Sequence, residues 1–192
     1  MAAEFQNGSR KFRAVLYTDS SGHSAYYTAE GKSLRKTFLR SPLEFSRITS
    51  GYSSSRFHPV LATWRAHKGV DYGAAQGTRI RATADGVIKL AGQMRGYGNV
   101  VILRHPNGFE TLYGHLSAFG KSIRTGTRVT QNDVIGFVGM TGMATGPHLH
   151  YELRVNGVHQ NPLKVASPPA PGMSPESHVA FQQSIQPVMN RL

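Results

Sequence analysis

Apolar and polar residues alternate through RKFRAVLY (Arg10–Tyr17), the two-residue period of a strand with one buried face. TDSSGH then supplies turn residues and SAYYTA (Ser24–Ala29) resumes the pattern, so a strand pair is expected near the start of the chain. Two strands alone are marginal, so this segment should pack on other sequence. In SPLEFSRITSGYSSSRFHPVL (Ser41–Leu61) the alternation is lost and Ser and Gly accumulate, which predicts a long irregular loop. From His67 to about Val165 the signals are all β, with strands predicted at Gly86–Ala91, Asn99–His105, Glu110–His115, Val134–Val138 and His148–Val155. Asn107-Gly108 and Asn156-Gly157 predict type I′ hairpin turns, whose two central residues need positive φ. SPPAPG (Ser167–Gly172) reads as a proline-rich linker. Beyond it, Ser174-Pro175-Glu176 marks a helix start, with serine as N-cap and proline in the first turn. His178, Phe181, Ile185, Val188 and Leu192 fall near one face of that helix, and Pro187 is expected to kink or end it. The predicted fold class is mainly β. It comprises a small β segment (1–40), an antiparallel, sandwich-like core (41–166), then a linker and a C-terminal helix (167–192).

Length and composition narrow the function classes. A chain of 192 residues is one domain and a remainder, long enough for its own core. Hydrophobic residues at 39% against 17% charged exclude a disordered polyelectrolyte. No run of 18 apolar residues occurs, so no transmembrane helix is expected. With no cysteine, disulfides and thiolate metal sites are both excluded. The net charge of +12 favours an acidic partner such as nucleic acid, an anionic lipid surface or an anionic cell-wall polymer. Its cations are spread evenly, and Tyr26, Tyr27, Tyr72 and Tyr97 do not cluster with them as stacking platforms, which argues against nucleic acid. MAAEFQNGSRKF lacks the parts of a secretory signal and is expected to be a cloning scar on a piece of a longer exported protein.

The chemistry lies in the histidines. His67 and Asp71 are four residues apart in HKGVD, about 13 Å if extended at ~3.3 Å per residue. Binding one ion through both therefore requires a bend, which Gly69 permits. His148 and His150 lie on one face of a strand, and Glu152 continues that face. Two imidazoles and a carboxylate match a zinc site with a position left open for water. His115, ending a predicted strand, is placed to act as acid or base beside a metal. Each motif alone also has a bland reading: a chance pair, a polar strand face, a structural histidine. His105 is expected to be packed and structural, and His58 to be a candidate for lining the groove. His23, His159 and His178 are expected to face solvent, and Trp64 to belong to the core.

Taken together, HKGVDY (His67–Tyr72), GNVVILRHPNGFETLYGHLS (Gly98–Ser117) and GMTGMATGPHLHYELRVNG (Gly139–Gly157) resemble the lysostaphin-type (LytM) zinc endopeptidases, over about Ser41–Val165. The resemblance implies Zn2+ bound by His67, Asp71 and His150, with His115 and His148 as the catalytic pair. It leaves Glu152 outside the ligand set, in a structural or supporting role. YYTAEGKSLRKTFLRSPLEFSRITSGYSSSRFHPV further resembles the Gram-negative branch. That branch implies cleavage between D-Ala and meso-diaminopimelate in cross-linked peptidoglycan, sometimes with carboxypeptidase activity. The implied partner is peptidoglycan, the implied location the periplasm or cell envelope, and the expected state a monomer. A non-catalytic wall-binding or amidase-activating module of the same fold is the alternative reading.

Overall fold

The alternation at Arg10–Tyr17 becomes one strand of a three-stranded antiparallel sheet, made of β1 (Ala2–Asn7), β2 (Arg10–Thr18) and β3 (Ser24–Tyr27). A computed structural model describes residues 2–19, 22, 24–58, 63–165, 173 and 175–189. The segment expected to be a cloning scar contains β1. Ala2–Asn7 pairs in register with β2 from Ala2↔Val15 to Asn7↔Arg10, across a two-residue turn in which Gly8 has φ 61°. Glycine takes that conformation without a Cβ penalty.

The chain divides into two units, Met1–Thr37 with Ser167–Leu192, and Phe38–Ala166. In the first, the helix α1 (Pro175–Met189) buries Phe181 and Ile185 against Val15, with Tyr17 and Tyr27 alongside. Pro187 does not end it. The helix runs two residues further, to Met189. His178 is not simply solvent-facing, since its Nε2 donates to the Glu30 carbonyl at 3.1 Å. Ser174, Leu192, His23 and the proline-rich linker lie outside the described residues, as do the side chains of His58, Trp64 and Val188.

The second unit holds β4 (Arg47–Ser50), β5 (Ser53–His58), β6 (Thr63–His67), β7 (Val70–Gly73) and β8 (Arg79–Arg81). It continues with β9 (Gly86–Met94), β10 (Gly98–Arg104), β11 (Phe109–Phe119), β12 (Arg128–Val129), β13 (Val134–Val138), β14 (His148–Val155) and β15 (Val158–Gln160). Ten of these form one sheet, whose main path runs β12-β9-β10-β11-β14-β7-β4, while β5 and β6 pair with each other. The strand pairings of this sheet among the described residues are antiparallel, for example β14 with β7 and β11. The mainly β, antiparallel class is the one expected from sequence.

The loop expected over Ser41–Leu61 instead contains β4 and β5. β4 lies at the sheet edge with three of four residues exposed. An edge strand carries polar residues on both faces, which erases the alternation that would reveal it. Both Asn-Gly turns have positive φ at each residue: 57° and 73° at Asn107-Gly108, 49° and 80° at Asn156-Gly157.

Alternation in the central strands sends one side to the core and the other to the site. Leu149 and Tyr151 of β14 and Val70 and Tyr72 of β7 join Val101, Leu103, Tyr113 and Leu116 in the main apolar cluster. The intervening residues, His148, His150, Glu152 and Asp71, therefore emerge together on the opposite face.

Candidate metal centre

Cross-strand register brings the first donors together. His150 lies directly opposite Asp71 on β7 and opposite Gly114 on β11. Opposed residues of adjacent strands project to the same side, so the imidazole and carboxylate meet without any loop to position them. His67, the last residue of β6, reaches the same point after the turn through Lys68-Gly69. His67 Nε2 is 3.0 Å from Asp71 Oδ1 and 3.2 Å from His150 Nδ1, and His150 Nδ1 is 2.8 Å from Asp71 Oδ1. All three residues are buried.

These atoms suit a metal. A tetrahedral ion with bonds of about 2.0 Å spaces its donors about 3.3 Å apart, slightly wider than the triangle here. The remaining nitrogens are committed elsewhere. His67 Nδ1 donates to the Gly51 carbonyl at 2.7 Å, which leaves Nε2 with its lone pair toward the cluster. His150 Nε2 donates to Glu152 Oε1 at 3.1 Å, which likewise turns Nδ1 inward. Such outer bonds fix tautomer and ring angle in metal sites. Burial alone would lower the pKa of His150, but its bonds to Asp71 and Glu152 outweigh that and raise it to about 9. Burial raises that of Asp71 too, yet its short contacts with His150 and His67 hold its carboxyl well below the usual range.

Gly69 is needed for space and not for an unusual φ. A Cβ there would lie 2.6 Å from the Tyr151 carbonyl oxygen and 2.7 Å from the His150 ring. Gly69→Ala should therefore push His150 aside. The expected result is a loss of about 1–3 kcal/mol in denaturant unfolding, together with weaker metal binding in a chelator competition.

Two further histidines flank the cluster. His148 Nδ1 donates to the Gly146 carbonyl at 2.8 Å, and its Nε2 lies 4.0 Å from Asp71 Oδ1. The His115 ring centroid is 4.6 Å from that of His148 and 6.0 Å from that of His150. His115 occupies a break in the β10–β11 register, where Val101 pairs with Tyr113 but Asn99 with Leu116. The extra residue reverses the alternation, so that Tyr113 and Leu116 both reach the main core while His115 turns to the site. Its φ of 64° costs about 1 kcal/mol for a residue with a Cβ. The N–H of His115 donates to the Tyr97 carbonyl at 2.7 Å and its Nδ1 to the Thr141 carbonyl at 2.8 Å, holding this conformation. Burial lowers its pKa to about 4, which keeps the imidazole neutral with a free lone pair on Nε2.

Glu152 is 1% exposed and surrounded by donors. Burial opposes its charge, but hydrogen bonds from His150, Tyr97 and Arg154 hold its pKa at about 2. His159, expected in solvent, donates from Nε2 to Glu152 Oε2 at 3.1 Å. Sequence spacing missed this contact, since β15 returns beside β14 through the Asn156-Gly157 turn and brings His159 opposite Arg154. His105 is packed as expected, with its ring nitrogens bonded to the Asp85 carbonyl and Thr111 Oγ1. A cavity of about 520 Å³ beside Asp85, Arg104 and Arg128 shares no lining residue with the cluster.

A β domain presenting this donor set with two further histidines beside it has the makings of a metallopeptidase, and known proteins point the same way. Residues 65–162 match the model of peptidase family M23. The chain belongs to this family. It is 51% identical over 154 residues to the DD-carboxypeptidase/endopeptidase Mpg of Neisseria meningitidis, covering 79% of this chain and 35% of that protein. It is 41% identical over 192 residues to the peptidoglycan DD-endopeptidase ShyC of Vibrio cholerae, covering 100% of this chain and 43% of that protein. The chain thus spans less than half the length of these curated relatives. Its fold matches a zinc-containing peptidase from Vibrio cholerae with a TM-score of 0.64 and 29% identity, over 87% of this chain and 50% of that one.

Proposed function

We propose that this chain is the catalytic part of a zinc-dependent peptidoglycan hydrolase of the cell envelope. Its bond is the one between D-Ala and meso-diaminopimelate in cross-linked stem peptides. The observation that carries this reading is the convergence of His67 Nε2, Asp71 Oδ1 and His150 Nδ1, with both outer nitrogens already bonded. Two imidazoles and one carboxylate form a donor set typical of catalytic zinc, which leaves a coordination position for water or substrate. The names of Mpg and ShyC support the substrate, and the +12 charge suits an anionic polymer.

When bound, zinc supplies Lewis acidity, polarising a carbonyl and making water acidic near neutral pH. The rest falls to the chain's own side chains. His115 and His148 each donate through Nδ1 to a backbone carbonyl, so each presents Nε2 as a proton acceptor. Between them they take the proton of the attacking water and return one to the departing amine. Once protonated, either imidazole donates a hydrogen bond to the negative oxygen that develops on the scissile carbonyl.

The test is a digest of diaminopimelate-type peptidoglycan by the purified chain, read by liquid chromatography and mass spectrometry with and without a zinc chelator. Conversion of cross-linked dimers to monomers, abolished by chelator and restored by Zn2+, is the expected result. Loss of terminal D-Ala from uncross-linked stems would add the carboxypeptidase activity that the name of Mpg carries. A folded, zinc-loaded chain that converts no dimers would favour the wall-binding or activating alternative.

A further inference from the structure

Glu152 combines a buried charge with a division of its two oxygens. Oε2 takes the guanidinium of Arg154, through Nε at 3.1 Å and its terminal nitrogen at 2.6 Å, and the ring of His159 at 3.1 Å. These contacts alone would satisfy a structural ion pair. Oε1 does something different, accepting from Tyr97 Oη at 2.7 Å and from His150 Nε2 at 3.1 Å. The anchored carboxylate thus presents its second oxygen to the ring of a metal-site residue.

Tyr97 extends that connection to the other side of the site. Its ring centroid lies 5.5 Å from that of His150, and its carbonyl accepts the N–H of His115. The backbone of Gly114 passes between them: a Cβ there would meet the Tyr97 ring at 3.3 Å and the Cβ of His150 at 3.6 Å. The Tyr97 side chain therefore touches the residue that binds, and its backbone holds the residue that reacts. Tyr97 sits in the turn between β9 and β10, whereas Glu152 is mid-strand in β14. The hydrogen bond between them spans two elements separated by β11 in the sheet.

We propose that Glu152 and Tyr97 form a positioning clamp that fixes the ring of His150 and ties it to the turn whose carbonyl accepts the N–H of His115. It rests on the zinc-hydrolase reading for its catalytic consequence. Neither residue touches the reacting atoms; each acts through a histidine. The carboxylate holds Nε2–H of His150, so Nδ1 keeps its lone pair toward the ion. The phenol keeps Oε1 from swinging toward the Arg154 side, and the tyrosine backbone keeps the two halves of the site in step.

Zinc affinity, the visible spectrum of the Co2+-substituted protein and unfolding of the metal-free protein test the clamp together. Glu152→Gln should weaken zinc by roughly 10–100-fold and shift the cobalt bands, because the ring of His150 loses its anionic partner. Tyr97→Phe keeps the ring packing and removes one bond. It should weaken zinc by about fivefold and shift the same bands less. A role in folding alone would lower the unfolding midpoint while leaving the cobalt spectrum unchanged. Wild-type zinc affinity, within twofold, and a wild-type cobalt spectrum in both variants would overturn the clamp. If Glu152→Gln does not fold, Tyr97→Phe decides by the same two readouts. A wild type that binds zinc but cleaves no wall peptide refutes the hydrolase reading and leaves the clamp to be judged by zinc and cobalt. A wild type that binds no zinc overturns both.

Discussion

Asp71→Ala is expected to abolish both zinc binding at micromolar metal and wall hydrolysis, while leaving a folded chain. Asp71 is the sole anion among the three donors and lies within 3.0 Å of both imidazole nitrogens. Structural zinc sites release about 10–16 kcal/mol shared among four ligands, so losing one ligand costs roughly 3 kcal/mol, or a hundredfold and more in affinity. His67→Ala and His150→Ala should act in the same direction. Chelator competition gives the affinity, and the peptidoglycan digest gives the activity. The main apolar cluster lies on the other face of β7 and β14, so cooperative unfolding should survive. An Asp71→Ala protein with wild-type zinc affinity would show that the ion binds elsewhere.

His115→Ala carries the second large effect, with the opposite signature for the metal. Zinc affinity should stay within a few-fold of wild type, whereas kcat falls by about 10²–10⁴, the usual contribution of a positioned acid or base. None of the short contacts within the His67–Asp71–His150 triangle involves His115, whose ring centroid is 6.0 Å from that of His150. The bond from its backbone N–H to the Tyr97 carbonyl does not depend on the side chain and should persist in the variant. His148→Ala should behave similarly. Retention of zinc with loss of turnover separates this pair from the ligands. If His148→Ala lost the metal and His150→Ala kept it, the assignment within HLH would be reversed.

Much of this geometry was legible in the residues. His148, His150 and Glu152 share a face because a strand alternates, whatever surrounds it. The bend between His67 and Asp71 follows from their four-residue separation and the reach of a metal bond. Which of the two imidazoles in HLH joins Asp71 does not follow from alternation, because both point the same way. That is decided by pairing, which sets His150 opposite Asp71 and places His148 opposite Gly73. Resemblance to the zinc endopeptidases anticipated His150, though no local pattern contained it.

Other features were hidden for identifiable reasons. β4 is hidden because a polar edge strand lacks a buried face to impose a pattern. AAEFQN, which pairs residue by residue with β2, carries too little apolar alternation to announce a strand. His159 looked like a surface residue until the return of β15 brought it to Glu152. Simple alternation would also have placed His115 with Tyr113, on the core side. The irregularity between Val101 and Asn99 reverses that, and no residue type at 113–116 announces it.

Local pattern and composition set the β class, the shared face of His148, His150 and Glu152, the need for a bend at Gly69, and a net charge of +12. All of these rest on interactions within a few residues or on summed charge. Tertiary structure decided which nitrogen of each imidazole is free, which way His115 faces, and how Glu152 and Tyr97 hold the site. The partners that settle those points are Gly51 for His67, Thr141 for His115 and Tyr97 for Glu152, lying 16, 26 and 55 residues away in the chain. A hydrogen bond over such separations exists only once the sheet has closed, so the chemistry of the site is a property of strand pairing as much as of its histidines.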